Sequence, residues 1–124
     1  MKDKKLKAIR GAVCSANVTE AISQRTVALY DKILAANGIA EKDLLSLFFS
    51  ITADINAQNP ASALRQAGRA GDAAMMVFQE AAVEDSLPGT IRILIHAFMG
   101  AKKKVKHIYF GEAEALRPDW EKDT

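Results

Sequence analysis

The chain has 124 residues, of which 49% are hydrophobic and 26% charged, and its formal net charge is +2. This size and composition favour a single domain with one hydrophobic core, extending over residues 1–124. The small charge, with lysine runs that contain no aromatic residues, does not indicate nucleic-acid binding, and no apolar stretch reaches the roughly 20 residues that span a bilayer, so we expect a cytoplasmic protein.

The first half of the chain predicts a strand, a helix and a second strand. Residues 6–16 (LKAIRGAVCSA) indicate a strand with a glycine inside it, and residues 44–55 (LLSLFFSITADI) are the most apolar strand candidate. Between them, residues 17–38 favour a helix with Thr19 as its N-cap and Gly38 at its end. Four residues fall on the face of this helix that would be buried: Ile22, Thr26, Leu29 and Ile33.

The second half of the chain predicts a short helix and three further strands. Asn59 and Pro60 suit the N-cap and the first position of a helix that ends at Gly68. The remaining segments are strands at residues 73–81, 90–98 and 107–110, with an exposed loop at residues 101–106 (AKKKVK). The order β-α-β-α-β-β-β predicts an α/β (α+β) fold in which helices cover one side of a mixed sheet.

Arg92 is the most informative residue of the chain. It lies in the stretch GTIRILIHAF, residues 89–98, where apolar side chains fall on both faces of the predicted strand, so we expect this run to be buried on both sides. A guanidinium stays charged, and burying one without a partner is costly. The sequence therefore predicts a negative partner for Arg92, in the chain or in a ligand.

Four polar side chains in the predicted strands are candidates for a common site: Arg10, Glu80, Arg92 and Tyr109. If their strands share a sheet, two cations, a carboxylate and a phenol converge on one cavity, which would suit an anionic small molecule. Spacing alone leaves a second interpretation open, in which an arginine and the glutamate form a buried ion pair that joins the strands.

The other reactive side chains are expected to pack rather than to react. Cys14 is the only cysteine, so it cannot form an internal disulfide, and we expect a small buried hydrophobe at this position. His96, Met75 and Met76 are expected in the core. The two histidines are far apart and show no metal-ligand spacing, so no metal site is expected.

An ordered set of motifs over residues 7–119 resembles the small monofunctional bacterial chorismate mutases of the trimeric α/β-barrel type. The motifs are IRGA, TADxxxxxPAxAxR, QE, SLPxxIRxL, HxY and LRPD, in this order. The resemblance implies a Claisen rearrangement of chorismate to prephenate, a step of aromatic amino-acid biosynthesis, without a covalent intermediate or a cofactor. It also implies a homotrimer with active sites between subunits.

The resemblance implies a role for each charged residue. Arg92 would bind the breaking ether oxygen and one carboxylate of the substrate dianion, and Glu80 would accept from the ring hydroxyl and favour the positive charge that develops on the ring. Arg10 and Tyr109 would bind carboxylates. Arg65 and Arg117 would lie near the mouth of the pocket and attract the dianion.

Two positions depart from the family pattern. Asn59 stands where an aromatic residue is usual, and Val77, three residues before Glu80, stands where a hydrogen-bonding side chain is common. A contact from position 77 to the ring hydroxyl would have to come from the backbone. We therefore expect Val77 in the substrate pocket and a wetter, less closed pocket mouth at Asn59.

Two alternatives belong to other classes of function. One is a related trimeric fold whose members release ammonia from imine or enamine acids, since the segment GEAEAL faintly resembles its late strand. Such an enzyme would need neither Glu80 nor Arg10. The other is a non-catalytic module in which the same residues only bind an aromatic-pathway metabolite.

Overall fold

The computed structural model describes residues 3–116. Its strands and α-helices are β1 (Lys4–Cys14), α1 (Thr19–Asn37), β2 (Leu44–Ile51), α2 (Pro60–Gln66), β3 (Ala74–Gln79), β4 (Thr90–Gly100) and β5 (Ile108–Phe110). Short 3-10 helices occupy Glu41–Asp43 and Gly111–Leu116. The predicted order β-α-β-α-β-β-β is confirmed. No helix in residues 3–116 combines the length and the apolar character needed to cross a membrane.

The strands form one mixed sheet with β4 at its centre. The spatial order is β3-β2-β4-β1-β5. β4 runs antiparallel to both β1 and β2, while β3 and β5 run parallel to their neighbours at the two edges. This register places Arg92 of β4 between Ala12 of β1 and Ser50 of β2, so the predicted cation lies in the middle of the sheet.

Only one face of β4 is fully buried. The residues facing α1 and α2 are Ile91, Ile93, Ile95, Ala97 and Met99, and all of them are buried. Arg92, Leu94 and His96 point to the opposite face, called the outer face below, and are only half-buried. The expectation of burial on both sides is therefore wrong for the single chain, because both helices pack on the same side of the sheet.

The outer face also corrects two packing predictions. The His96 ring lies there, with Nδ1 3.2 Å from the Ser46 hydroxyl and its edge against Phe48, so it is not a core histidine. Met76 is 55% exposed on this face, whereas Met75 packs against the core as expected. Cys14 is buried, as predicted.

Glycine is required in the IRGA motif because α1 packs closely on β1. A Cβ atom at Gly11 would lie 2.8 Å from Ile33 Cδ1 and 2.9 Å from the Ile108 carbonyl oxygen. Both distances are shorter than real Cβ contacts. Gly11 therefore brings the helix and β5 close to the strand that carries Arg10.

The helix ends agree with the sequence except at Thr19. The N-cap of α1 is Val18, which makes no side-chain capping bond, and Thr19 is the first helical residue, where its hydroxyl donates to the Ala57 carbonyl at 3.2 Å. Gly38 ends α1 in the left-handed conformation, as predicted. Asn59 caps α2, since its Oδ1 accepts from two backbone N–H groups of the first turn.

Candidate active site

Arg92 has a carboxylate partner within the chain. Its Nε donates to Glu80 Oε1 at 3.0 Å, and the Arg92 and Glu80 side chains are 35% and 15% exposed. The backbone N–H of Glu80 donates to the Ile51 carbonyl at 2.8 Å, which continues the pairing of β3 with β2 by one residue. The predicted negative partner is confirmed, and a backbone bond to β2 holds it at the end of β3.

Ser50 is a site residue that sequence reasoning missed. Its hydroxyl donates to Glu80 Oε1 at 3.4 Å, and the residue stands opposite Arg92 in the sheet. The signal was present in the alternation of β2, which places Ser46, Phe48 and Ser50 on the outer face. Two serines on one face of an otherwise apolar strand indicate that this face contacts polar groups as well as the hydrophobic core.

A cavity of about 250 Å³ lies on the outer face around Arg92. Its lining residues are Arg10, Gly11, Phe48, Phe49, Ser50, Phe78, Arg92, Ile93, Leu94 and Tyr109. The structure thus brings together three of the four predicted polar residues, and Glu80 adjoins them through Arg92. Two cations and a phenol on apolar walls suit a small anion with a ring or hydrocarbon body.

Arg10 and Tyr109 reach this cavity from neighbouring strands. Tyr109 of β5 pairs with Ala12 of β1, and strand alternation places both on the same face as Arg10. The backbone N–H of Arg10 donates to Nδ1 of His107 at 3.0 Å, immediately before β5 begins. The HxY motif therefore supplies a cavity residue and a contact to the strand beside it.

Two further predicted residues, Arg65 and Val77, do not line the cavity. Arg65 is exposed in the last turn of α2. The Val77 side chain packs against the hydrophobic core beneath β3, so a contact from this position to a ligand would have to come from its backbone. Arg117 lies outside the described residues.

The TAD and SLPG motifs meet at the start of β4 and hold it in place. Thr52 accepts from the Thr90 N–H at 3.0 Å and donates to Asp54 Oδ1 at 2.5 Å. The Asp54 carboxylate in turn accepts from the Gly89 N–H. The bond from Thr52, followed by that from the Gly89 backbone, holds the pKa of Asp54 below its usual range, so the carboxylate keeps these bonds at neutral pH. Both motifs thus fix the backbone two residues before Arg92.

Comparison with known proteins places the chain in one family by sequence and by structure. The sequence model described as chorismate mutase type I matches residues 6–120. Chorismate mutase AroH of Thermus thermophilus is 38% identical over 119 residues, covering 94% of this chain and 97% of that protein. Chorismate mutase AroH of Bacillus subtilis is 29% identical over 116 residues, covering 92% and 91%.

A solved structure agrees with these sequence matches. The chorismate mutase from Clostridium thermocellum superposes with a TM-score of 0.80 at 33% identity, covering 89% of this chain and 99% of that chain. The Clostridium thermocellum chorismate mutase therefore shares the mixed sheet with helices on one side. The resemblance seen in the ordered motifs is confirmed, and the chain belongs to the chorismate mutase type I family.

Proposed function

We propose that this chain converts chorismate to prephenate in the cavity around Arg92. The reaction breaks an ether C–O bond while a C–C bond forms within one molecule, so it needs no nucleophile or cofactor. An enzyme can accelerate it by holding the compact conformer of the substrate and by placing fixed charge where charge develops. The observation that carries the proposal is a half-buried guanidinium at the centre of an apolar-walled cavity that holds a second arginine.

Arg92 is suited to the breaking ether oxygen because its bond to Glu80 uses only part of the guanidinium. Within residues 3–116, Arg92 donates from Nε alone, to Glu80. The two terminal nitrogens are left for a ligand, and they can reach an ether oxygen and a carboxylate oxygen together. As the ether bond lengthens, the fixed positive charge stabilises the negative charge that collects on its oxygen.

Glu80 and the second cation complete the charge pattern. The Arg92 and Ser50 bonds hold the Glu80 carboxylate at one side of the cavity, where it would accept from the ring hydroxyl and favour a positively charged ring. Arg10 and Tyr109, which line the cavity from β1 and β5, would bind the substrate carboxylates. Val77 would contribute through its backbone.

The outer face supports a homotrimer with active sites between subunits. Large apolar side chains on this face are substantially exposed in the single chain: Leu6 49%, Phe78 49%, Met76 55% and Phe98 42%. Several large apolar side chains exposed on one face of a sheet are typical of an interface with another copy of the chain. In such an assembly Arg65, which lies outside the cavity of its own chain, and Arg117 would sit near the mouth of a site. The cytoplasmic location expected from the sequence remains a prediction.

A direct assay tests the proposal. The purified protein is incubated with chorismate, the loss of chorismate absorbance is followed, and the product is identified as prephenate. We expect turnover without added metal or cofactor. Binding of chorismate without formation of prephenate would contradict the proposal and favour a non-catalytic binding module.

A further inference from the structure

We propose that His107 is a positioning residue that sets the spacing of Arg10 and Tyr109. This inference rests on the proposed function, because it assigns both residues to the substrate carboxylates. The HxY motif supplies Tyr109 to the cavity, and its histidine has no part in the charge pattern described above. The contact that gives it a role is the 3.0 Å hydrogen bond from the Arg10 N–H to His107 Nδ1.

β5 is attached to the sheet by a short ladder. It has three residues, and its pairs with β1 are Gly11 with Ile108, Ala12 with Tyr109 and Val13 with Phe110. If this parallel ladder continued by one step, the acceptor for the Arg10 N–H would be the carbonyl of Lys106. The His107 imidazole occupies that role instead.

Asn37 explains why the ladder does not continue. Its side chain is buried at the end of α1, where Nδ2 donates to the Lys106 carbonyl at 2.9 Å and Oδ1 accepts from the Lys106 N–H at 2.8 Å. Both backbone groups of Lys106 are therefore held by the helix rather than by β1. Lys106 is thus fixed to α1 just before β5 begins. The next residue, His107, accepts a hydrogen bond from the Arg10 N–H and so connects the start of β5 to β1.

This bond is important because Arg10 and Tyr109 lie on the same face, two register steps apart. Tyr109 pairs with Ala12, two residues after Arg10, so a small shift of β5 along β1 changes the distance between the guanidinium and the phenol. If the Arg10 guanidinium and the Tyr109 phenol both bind carboxylates of one rigid substrate dianion, the distance between them must stay fixed. We therefore expect the loss of the His107 acceptor to weaken substrate binding more than turnover.

Two substitutions separate the acceptor from the bulk of the ring. His107→Asn places Oδ1 near the position of Nδ1 and keeps an acceptor for the Arg10 N–H, while His107→Leu removes it. We expect His107→Leu to raise KM for chorismate about tenfold with kcat changed less than about threefold, and His107→Asn to stay within about threefold in both constants. Equal KM values for the two variants would overturn the inference.

His107→Gln is a control for the possibility that His107→Leu raises KM because the leucine variant is misfolded. Its side chain is polar, but its acceptor lies nearer to the position of Nε2 than of Nδ1, so KM should rise as it does for His107→Leu. Amide hydrogen exchange gives a readout without substrate: the Arg10 N–H should exchange faster in the leucine and glutamine variants than in the asparagine variant. A glutamine variant with unchanged KM and unchanged Arg10 exchange contradicts the positioning role.

Arg10→Ala distinguishes failure of this inference from failure of the proposed function. If Arg10→Ala leaves KM unchanged, the assignment of Arg10 to a carboxylate is wrong. If Arg10→Ala raises KM but His107→Leu does not, the assignment stands and the positioning role of His107 is wrong. In the double variant, His107→Leu should add less to KM than it does alone, because one of the two groups it positions is already gone.

Discussion

The role proposed for a single residue, Arg92, combines two tasks that a lysine could not. Its Nε holds Glu80, and the planar fork leaves the terminal nitrogens for a ligand. The pair with Glu80 lowers the cost of keeping a guanidinium in a mostly apolar strand. Structural and catalytic interpretations of the pair are therefore compatible in this cavity, and steady-state kinetics of Arg92 variants tests the catalytic one.

At position 59 the family pattern favours an aromatic residue, whereas the local structure uses the asparagine as the N-cap of α2. Replacing it by phenylalanine should lower KM while kcat stays about the same, because an aromatic residue would close the pocket mouth more fully. The same change removes the cap of α2 and should lower the free energy of unfolding by about 1 kcal/mol. Steady-state kinetics and thermal unfolding of the assembled protein measure both effects.

Asn59→Ala is the matched control for this prediction. It loses the cap without adding a ring, so its stability should fall by a similar amount while KM does not improve. A phenylalanine variant that loses activity altogether, with its assembly intact, would show that Asn59 does not lie at the pocket mouth.

Residue types with a strong local preference were predictable, and those set by strand orientation were not. Gly38 and Asn59 follow from helix-capping chemistry, and both take their expected positions. Thr19 was misplaced by one position because a threonine in the first turn resembles an N-cap in the sequence. The inward orientation of Val77 depends on the register of β3, which the sequence does not specify.

At the scale of elements, the 3-10 helix before β2 is pinned to the start of β1 by one ion pair. Lys4 Nζ donates to Asp43 Oδ1 at 2.8 Å, and the Asp43 side chain is only 10% exposed. The Lys4 bond is the main reason that the pKa of Asp43 lies below its usual range. Because β1 and β2 flank β4, this pair helps to fix both neighbours of the strand that carries Arg92.

The ion pair predicts how stability depends on pH. A carboxylate whose pKa is lowered by folding stabilises the protein above its unfolded pKa of about 3.9, and the contribution is lost as pH falls through the folded pKa. Asp43→Asn should therefore reduce the free energy of unfolding by about 1 to 3 kcal/mol at pH 7. The difference from the parent should shrink as the pH falls below about 4.

Asp31→Asn provides the comparison for Asp43→Asn. Asp31 pairs with Arg69 on the surface, where its side chain is 47% exposed, so its removal should change stability by less than about 1 kcal/mol. Denaturant unfolding at pH 7 and at pH 3 measures both variants. Equal losses for the two aspartates at pH 7 would contradict the importance given to the Lys4–Asp43 pair.

At the scale of the whole molecule, the outer face predicts assembly. Leu6 and Phe98 pair across β1 and β4 and are both substantially exposed in the single chain. Light scattering of the pure protein should give three times the mass of the 13.4 kDa chain. Phe98→Asp should dissociate the assembly and abolish activity, because a charge would have to be buried in the interface.

Val18→Asp is the control for Phe98→Asp. It introduces the same charge at an exposed apolar residue, but at the position before α1 rather than on the outer face. It should remain trimeric and active. An active monomer, either of the parent or of Phe98→Asp, would show that the sites are complete within one chain.

The order of elements and the mixed sheet could be predicted from the sequence, but the strand order within the sheet and the exposed state of the outer face could not. Alternation of strands and helices gives a mixed sheet with helices on one side, and the structure has that arrangement. The sequence shows that Leu94, Phe98 and Met76 are apolar, but it does not show which part of the protein covers them. A face that another copy would cover has the same pattern as a core face, which is why β4 was expected to be buried on both sides.

The most direct test of the reaction assigned to this protein is the turnover of Arg92→Lys. The change keeps a positive charge but removes the planar fork, so kcat should fall by about 100 to 1,000-fold, whereas Arg10→Ala should mainly raise KM. Circular dichroism and light scattering establish that each variant is folded and assembled before steady-state kinetics on chorismate. If Arg92→Lys turns over chorismate within a few-fold of the parent, Arg92 is only the structural partner of Glu80, and its charge does not stabilise the transition state.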